Sequence, residues 1–387
     1  MLEARYWLTY KVLVLYCFLS SARACMTFGD NPYIDLVLSV IALAIVPKNF
    51  FIHTPQRVYA SFFLAIAVMY TMLGSTITGY LAQFSMIFLP LQLVFLKNEY
   101  QVDLYKWLSK WYAVLLCVSM GWWTLWLIGV PLPHNEIKLV WQHDDWGFIH
   151  QNYFLFQHHI ALNPYRLTET VFRFNGFFLE PGHVGTITSI FLFVNRYDLK
   201  KWTSIVFIVV IALSLSSAAY ALTLIGYCLY RYTVDYWKVV LPIAGILVAI
   251  ILFSQMNEGD NVVSDVIIGK FTREQGAIEG RFSSQTRELW RQAIADGSIW
   301  FGKGAGIQIK ESAGYKVFVL MNGVFGAVLT LLGYWIIQRI NYSKLGFCLF
   351  ILMVISFLQR TYCFWDAFLD PYILGTAYLQ LTDEKYS

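Results

Sequence analysis

Long apolar stretches alternate with short polar connectors along most of this 387-residue chain. A helix of about 20 mostly apolar residues crosses the hydrocarbon core of a bilayer. The pattern therefore predicts an all-α polytopic membrane protein with about 12 transmembrane helices. The boundary between the seventh and eighth predicted helices is short and lies within residues 214–218. The predicted spans cover residues 6–21, 33–47, 58–74, 80–96, 108–130, 176–194, 202–215, 217–230, 239–254, 315–337, 345–359 and 366–381.

The composition excludes an ordinary soluble domain. Hydrophobic residues make up 58% of the chain and charged residues 13%, whereas soluble domains carry about a quarter charged residues. Aromatic residues make up 18%, which suits the Trp and Tyr belts at membrane interfaces. The net charge is +4, and no tract of Lys and Arg is long enough for a nucleic-acid partner. The six cysteines show no metal or redox spacing, so neither a metal nor a cofactor is expected.

The basic residues fall mainly in alternate connectors, which sets the predicted orientation. By the positive-inside rule these connectors and both termini are cytoplasmic. Two long polar segments, residues 132–172 and 255–312, then face outward within one membrane domain. Long loops translocate largely regardless of charge, so the arginines of these segments do not contradict the rule. The basic connectors contain Lys48 and Arg57; Lys97, Lys106 and Lys110; Arg196, Lys200 and Lys201; Arg231 and Lys238; and Arg339 and Lys344.

Two interpretations are open for the N-terminus. Arg5 and Lys11 precede an apolar run, and residues 22–24 have the A-x-A form of a signal-peptide cleavage site. Residues 1–24 are therefore either a cleaved signal peptide or the first transmembrane helix. The retained helix is favoured because eleven further predicted spans follow it.

The first outer segment leads into a group of ionisable residues. Arg166 and Arg173 precede the sixth predicted span, and Glu180 and His183 lie inside that span. Ionisable groups within a span are costly and usually line a cavity or pair with a partner. Pro181 is expected to kink or break the helix beside them. Alternatively, Glu180 pairs with Arg173 to orient the span, and His183 is a buried hydrogen-bonding residue.

The second outer segment predicts an amphipathic helix near residues 284–296. Arg287 and Arg291 are four apart and share a face, and Arg281 comes just before the helix. Arginine suits pyrophosphate because its guanidinium donates two parallel hydrogen bonds and stays charged. The alternative is an interfacial helix whose cations meet lipid headgroups. The apolar side expected to lie on the membrane domain consists of Leu289, Trp290, Ala293 and Ile294.

Three further signals favour structural roles or sugar binding. Residues 302–306, GKGAG, have neither of the usual phosphate-loop spacings and are interpreted as a flexible turn. Asp366 and Asp370, near Arg360, line a cavity or pair with a cation, and structural pairing is the favoured interpretation. Residues 141–159 interleave aromatic residues with His and Asp. This mixture fits sugar stacking at least as well as a metal site, because it lacks a recognised ligand spacing.

Two motifs resemble those of the Wzy/O-antigen ligase superfamily. The run from Arg173 to Gly185, RFNGFFLEPGHVG, resembles that superfamily's R-x-x-G motif with its later E/N-P pair. The later block, Arg281-x5-Arg287-x2-Trp290 followed by GKGAG, resembles its R…W…G-x-G block. Together the two motifs cover about a sixth of the chain. Their order, their outer placement and the twelve-helix frame also agree with this superfamily.

The resemblance implies a Wzy-type polymerase with a GT-C-like fold in the bacterial cytoplasmic (inner) membrane, active at its periplasmic or extracellular face. Such enzymes join oligosaccharide repeat units carried on undecaprenyl pyrophosphate into O-antigen, capsule or other surface polysaccharide. The implied partners are this lipid-linked oligosaccharide and membrane lipid, with a chain-length regulator protein as a further candidate. No nucleotide sugar and no metal are implied.

The resemblance also implies a role for each site residue. Glu180 is the first candidate for the catalytic base, and Arg173 and Arg287 stabilise the charge of the leaving pyrophosphate. Arg166, Arg281, Arg291 and His183 are expected to bind substrate. A superfamily ligase carries a histidine near the start of the span after the second segment, and residues 311–323 contain none. This absence favours a polymerase over an O-antigen ligase. Two rival functions stay open, a lipid-linked oligosaccharide flippase and a non-catalytic membrane scaffold.

Overall fold

Helices make up most of the described chain in the computed structural model. The structure describes residues 2–21, 32–73, 87–140, 147–153, 155–161, 173–234, 284–304, 307, 314–359, 361, 364 and 366–383. The elements are α1 (Leu2–Ser21), α2 (Pro32–Ile45), α3 (Pro55–Thr71), α4 (Asn98–Leu127), β1 (Asn135–Val140), β2 (Gly147–Asn152), β3 (Gln157–Ala161), α5 (Pro181–Val194), α6 (Trp202–Ser214), α7 (Ser217–Val234), α8 (Ser284–Ala295), α9 (Tyr315–Ile340), α10 (Lys344–Gln359) and α11 (Asp366–Asp383). Residues 48–50 form a 3₁₀ turn, and residues 87–95 are also helical.

The helices coincide in position with the apolar stretches of the sequence, except that the stretch at 239–254 lies outside the described residues. In the part of the chain that the structure describes, α9 is the one helix both long and apolar enough to cross a membrane. Shorter apolar helices cover Ile34–Ile45, Pro181–Val194, Trp202–Ser214 and Lys344–Leu358. These observations establish a mainly helical fold.

A small sheet in the first outer segment departs from the expected all-α fold. Strands β1, β2 and β3 form an antiparallel meander in which β2 is central. Asn135 pairs with Asn152 and His150 with His159, which fixes the register. The residues of β1 alternate polar and apolar types from Glu136 to Leu139, as strands with two different faces do. The polar character of this segment hides the strands from an analysis based on long apolar runs.

The chain divides into two compact units where the sequence indicates one membrane domain. The terminal unit contains α1–α3, the first part of α4 through Trp111, and α8–α11. The central unit contains the rest of α4 from Tyr112, the sheet, and α5–α7. The described residues of the segment 132–172 therefore belong to the central unit, and the described residues 284–304 belong to the terminal one.

In the terminal unit, α9 packs along α3, and α1 packs against α2 and α11. The core here includes several large aromatic side chains that are completely buried, such as Tyr10, Phe18 and Tyr372. The Tyr372 hydroxyl donates to the carbonyl of Tyr334, 2.7 Å away, so a polar group inside α11 is satisfied by α9.

In the central unit, α5 is the innermost helix, and all fourteen of its residues are buried. It packs against both α6 and α7. On the side of α4, the Tyr112 ring stacks on Phe191, and its hydroxyl shares a 2.8 Å hydrogen bond with Thr188. The N-terminal end of this enclosed helix carries the first motif that the sequence singles out.

Candidate functional site

Arg173 contacts the C-terminal end of α6. Its Nε lies 3.2 Å from the carbonyl oxygen of Ser214, and one Nη lies 3.0 Å from that of Leu215. Leu215 has left-handed backbone angles, φ 46° and ψ 38°, and ends the helix. The last carbonyls of a helix lack intrahelical donors and carry partial negative charge, which a cation stabilises. Arg173 therefore acts as a C-terminal cap, a role that the sequence does not predict for it.

Pro181 begins α5, so of the expected kink or break inside the span the structure shows no kink: the helix starts at the proline. It occupies the first helical position, where its missing N–H costs nothing and its fixed φ suits the helix. Glu180 is the preceding N-cap residue, with φ −136° and ψ 147°, and its side chain makes no capping hydrogen bond. The carboxylate is half-exposed at the helix end that stabilises negative charge.

His183 lies one turn into α5 and is 1% exposed. Its Nε2 is 3.9 Å from Oε2 of Glu180, and its backbone N–H donates to the Glu180 carbonyl oxygen at 3.0 Å. Glu180 and His183 are thus neighbours at the limit of ion-pair distance, with the carboxylate half-exposed and the imidazole buried. This geometry suits a histidine that orients the carboxylate, because its burial keeps it from direct contact with solvent.

The sheet is attached to the first motif through its third strand. The backbone N–H of Gln157 donates to the carbonyl of Gly176 at 2.7 Å, and its side-chain Nε2 donates to that of Phe177 at 3.3 Å. Gly176 itself has φ 59°, a conformation that favours glycine. The Trp123 ring of α4 meets Phe174 edge-on, with 5.7 Å between centroids. The motif is therefore held between α4, the sheet and α6.

Aromatic rings gather where β3 meets the end of α4. Trp126 lies 4.3 Å from the His158 ring and 5.7 Å from Phe156. Tyr153 stacks on Phe156 at 5.4 Å and lies 4.9 Å from the exposed ring of His134. Phe156, Tyr153 and His158 are buried, so the faces that could stack on a sugar are those of the exposed His134 and the half-buried Trp126. The sequence indicates the aromatic content of this segment but not that Trp126 belongs to this group of rings. The signal that could have identified it is a tryptophan at the predicted membrane interface.

In the terminal unit, α8 lies within the range that the sequence predicts for the amphipathic helix. Arg291 is exposed and forms an ion pair with Glu288 at 3.3 Å, whereas Arg287 is half-buried. Ala293 is buried, but Ile294 is exposed, so Ile294 does not pack inward as expected. Trp290 is half-buried. Its ring lies 5.9 Å from Tyr315 and 5.4 Å from the Lys316 ammonium, which anchors the helix to α9.

The turn after α8 is held in place rather than being a flexible turn. It inserts where α9 breaks at Gly323, whose φ of 70° and ψ of 171° are not helical. Gly302 and Gly323 lie back to back, because a Cβ on either one would come within 2.4 Å of the opposing backbone. The Lys303 and Gly304 amides donate to the carbonyls of Leu320 and Met321 at 2.8 and 2.9 Å.

Lys303 is paired within the same turn. Its ammonium lies 3.2 Å from a carboxylate oxygen of Asp296. Hydrogen bonds from Ser298 and this lysine lower the pKa of Asp296 to about 2. Lys303 therefore has an anionic partner inside the protein, which agrees with the interpretation that GKGAG is not a phosphate loop.

Three buried carboxyl groups lie together in the terminal unit. Asp366 and Asp370 are both buried, and Asp366 interacts electrostatically with Asp370 and with Asp35 of α2. A hydroxyl of Ser20 donates to Asp35 at 2.9 Å, and the completely buried Tyr10 interacts electrostatically with Asp370. Arg360, the expected cation near them, lies outside the described residues. The sequence does not point to Asp35, because only the fold brings residues 35 and 366 together.

The expected site residues fall into three groups. Arg173, Glu180 and His183 all belong to the central unit, and Arg287 and Arg291 share a helix in the terminal unit. The remainder lie outside the described residues: Arg166, Arg281, His143, Asp144 and Asp145. Among the described side chains, no three of His, Cys, Asp and Glu are arranged to hold a metal ion.

Comparisons with models of known protein families, with curated proteins and with solved structures find no match to this chain.

Proposed function

We propose that this chain is a multi-pass protein of the bacterial cytoplasmic membrane with about 12 spans. The support is the exposure of large apolar side chains on helix after helix, including Leu8 in α1, Val37 in α2, Phe62 in α3, Ile205 in α6 and Val328 in α9. Water-exposed helices normally carry polar residues on their outer faces, and lipid replaces water where they do not. The positions of the helices, which match the predicted spans, also support this membrane assignment.

We further propose that it polymerises oligosaccharide repeat units carried on undecaprenyl pyrophosphate. An acceptor hydroxyl of the next lipid-linked unit attacks the anomeric carbon of the growing chain. The bond from this carbon to the pyrophosphate oxygen breaks, and its electron pair leaves with the lipid pyrophosphate. The observation that carries the proposal is the half-exposed Glu180 carboxylate at the N-terminus of a completely buried helix, inside the motif that resembles the polymerase superfamily.

Each residue then has a defined role. Glu180 accepts the proton of the attacking hydroxyl, and the buried imidazole of His183 orients it. Arg173 stabilises the negative charge that develops on the pyrophosphate, and its two carbonyl contacts keep the guanidinium in a fixed position. The rings of Trp126 and His134 are the proposed platform for the sugars. Arg287 and Arg291 are proposed as pyrophosphate-binding residues of the terminal unit.

The polymerase proposal is tested on a gel of surface polysaccharide from cells that carry this gene. Deletion should leave single repeat units on their normal anchor, and a plasmid copy should restore the ladder. The Glu180→Gln variant should give single units although the protein accumulates normally, whereas Glu3→Gln, which alters an exposed glutamate of α1, should restore the ladder. Arg173→Lys keeps a cation near the carbonyls but loses the guanidinium fork, and it should shorten the ladder.

A normal ladder from Glu180→Gln would remove Glu180 from the chemistry. Complete absence of surface repeat units after deletion would favour the second candidate, a lipid-linked oligosaccharide flippase. The observation that favours this candidate is the break in α9 at Gly323, because transporters commonly use discontinuous helices at their substrate sites. Export of repeat units in the deletion strain separates the two functions directly.

A further inference from the structure

An open groove of about 660 Å³ lies in the terminal unit, where the termini of three separate helices come together. The groove is far from the sequence motifs along the chain, and no role above involves it. Its lining comes from the start of α3, the start of α4 and the end of α9. The residues that matter for its chemistry are Thr54, Arg57, Lys97, Asn98, Glu99 and Arg339.

The groove has an excess of positive charge. Three cations line it, Arg57, Lys97 and Arg339, against the single carboxylate of Glu99. Within the described part of the chain, none of the three cations forms an ion pair with a carboxylate. Burial lowers the pKa of Arg57 to about 10, so this guanidinium still carries its charge at neutral pH. A concave surface with unbalanced positive charge attracts anions.

Arg57 is held rigidly at the base of this surface. It is 4% exposed, and its guanidinium donates to the carbonyls of Val94 and Leu96 and to Oδ1 of Asn98. These contacts give Arg57 a structural role, since they satisfy carbonyls that follow the helical segment 87–95. They do not account for Lys97 and Arg339, which reach the same groove from other elements.

Two helix N-termini add to the positive electrostatic potential of the groove. Helix α3 begins at Pro55, with Thr54 as its N-cap residue, whose hydroxyl accepts from the Arg57 N–H at 3.4 Å. Helix α4 begins at Asn98, which also lines the groove. Helices of this length carry about half a positive elementary charge at the N-terminus, and such ends are common sites for phosphate.

Arg339 is positioned by aromatic side chains rather than by an acid. Its guanidinium lies 5.8 Å from the Trp335 ring and 5.1 Å from the Tyr342 ring. Cation–π contacts hold an arginine in place and leave its N–H groups able to bind another acceptor. A planar guanidinium presented in this way matches the oxygens of a phosphate.

We propose that this groove binds a phosphate group, either in the headgroup of an anionic phospholipid or in a free phosphate compound. The basic connectors that form it are those that the charge pattern places on the cytoplasmic side, where anionic lipids attract and bind basic pockets. The proposal rests on the groove alone and is independent of the polymerase chemistry.

The test uses the full-length protein purified in a neutral detergent, with its unfolding temperature measured during titration. The probes are phosphatidylglycerol, phosphatidylcholine and inorganic pyrophosphate. Phosphatidylglycerol should raise the unfolding temperature, because a ligand that binds only the folded state stabilises it. The double variant Lys97→Gln/Arg339→Gln should bind at least about tenfold more weakly. Arg57 stays unchanged because its carbonyl contacts support the fold.

Lys110→Gln serves as the matched control, since it removes one exposed cation outside the groove and should leave the titration unchanged. A response to phosphatidylglycerol but not to pyrophosphate identifies the lipid headgroup, and responses to both identify phosphate in general. Equal responses to phosphatidylglycerol and phosphatidylcholine would overturn the proposal. So would no response to either anion, or a double variant that unfolds at the wild-type temperature without ligand and titrates as the wild type does.

Discussion

Asp296 shows how one carboxylate can fix a whole turn. Its oxygens accept from Ser298 and contact Lys303, so the carboxylate joins the end of α8 to the turn that enters the break in α9. These interactions require the ionised form, which is why they lower its pKa to about 2 from an ordinary value of 3.8.

The pH dependence of this contact follows from the direction of that shift. Because the folded-state pKa lies below the unfolded value, the stabilisation is fully present above about pH 4 and is lost as the pH falls toward 2. The unfolding temperature of the wild type should therefore exceed that of Asp296→Asn at pH 6, and the difference should shrink toward zero near pH 2. In the Lys303→Gln background, Asp296→Asn should also lower the unfolding temperature at pH 6. This decrease should be smaller than in the wild type but still present, because Ser298 still donates a hydrogen bond to Asp296. A difference that stays constant across this range would contradict the assignment.

At the scale of single residues, the sequence shows which residues are unusual better than it shows which residues they contact. It identifies Arg173, Glu180 and Pro181 as unusual beside an apolar run, but not that Arg173 caps α6 or that Pro181 begins α5. The residues before Pro181, FNGFFLE, are apolar enough to resemble helix. Their actual conformation depends on Gly176 and on contacts with β3, which are set by residues distant in the sequence.

Helices α5 and α7 approach each other closely at Gly185 of α5. A Cβ placed there would lie 2.6 Å from the Cβ of Ala219 in α7 and 2.9 Å from Oγ of Ser214. Ser189, one turn further along α5, shares a 2.9 Å hydrogen bond with Thr223 of α7. Small residues and hydroxyls at a helix interface allow this close packing.

Gly185→Ala should therefore destabilise the protein by about 1–3 kcal/mol, because the extra methyl group forces the two helices apart. The measurement is chemical denaturation of the purified protein in detergent. Gly121→Ala is the matched control: nothing lies within 4 Å of its added Cβ, and it should be neutral or stabilise α4 by up to about 1 kcal/mol. The double variant Gly185→Ala/Ala219→Gly should recover part of the loss. Equal stability of the two single variants would refute this account of the packing.

The helices are the elements that sequence predicts best, because each apolar run has to form its backbone hydrogen bonds internally if it lies in a membrane. The break between α6 and α7 at Leu215 is the weakest division that the sequence predicts, and it is present. The sequence does not predict the sheet, because its strands lie in a polar segment without long apolar runs. It does not predict the break at Gly323 either, because this break leaves the apolar pattern of α9 uninterrupted.

For the whole molecule, the charge pattern predicts the orientation in the membrane, which the helical fold by itself does not. It places the connector at Lys200 and Lys201 inside the cell and the segment after Pro133 outside. Alkaline phosphatase is active only after export, so a fusion at Pro133 should be active and one at Lys201 inactive. Green fluorescent protein, which fluoresces only in the cytoplasm, should give the opposite pattern at the same sites. Inverted activities would reverse the orientation, and equal activities would argue against a span between them.

The grouping of distant residues is the part of the whole molecule that sequence could not supply. Asp35 and Asp366 are an example, as are Arg57, Lys97 and Arg339 around one groove. In its own segment, none of these residues indicates which distant residues it will meet. They become informative only when packing brings together elements that are separated by up to several hundred residues.

The back-to-back contact of Gly302 and Gly323 has an evolutionary consequence. At Gly185 the opposing atom is a side-chain methyl, so a change there can be compensated by a smaller residue at Ala219, and related chains should show the two positions changing together. At Gly302 and Gly323 the opposing atoms belong to the backbone, and no substitution can remove them. Lineages that descend from this chain and keep the fold are therefore expected to retain both glycines unchanged, even where the surrounding residues diverge.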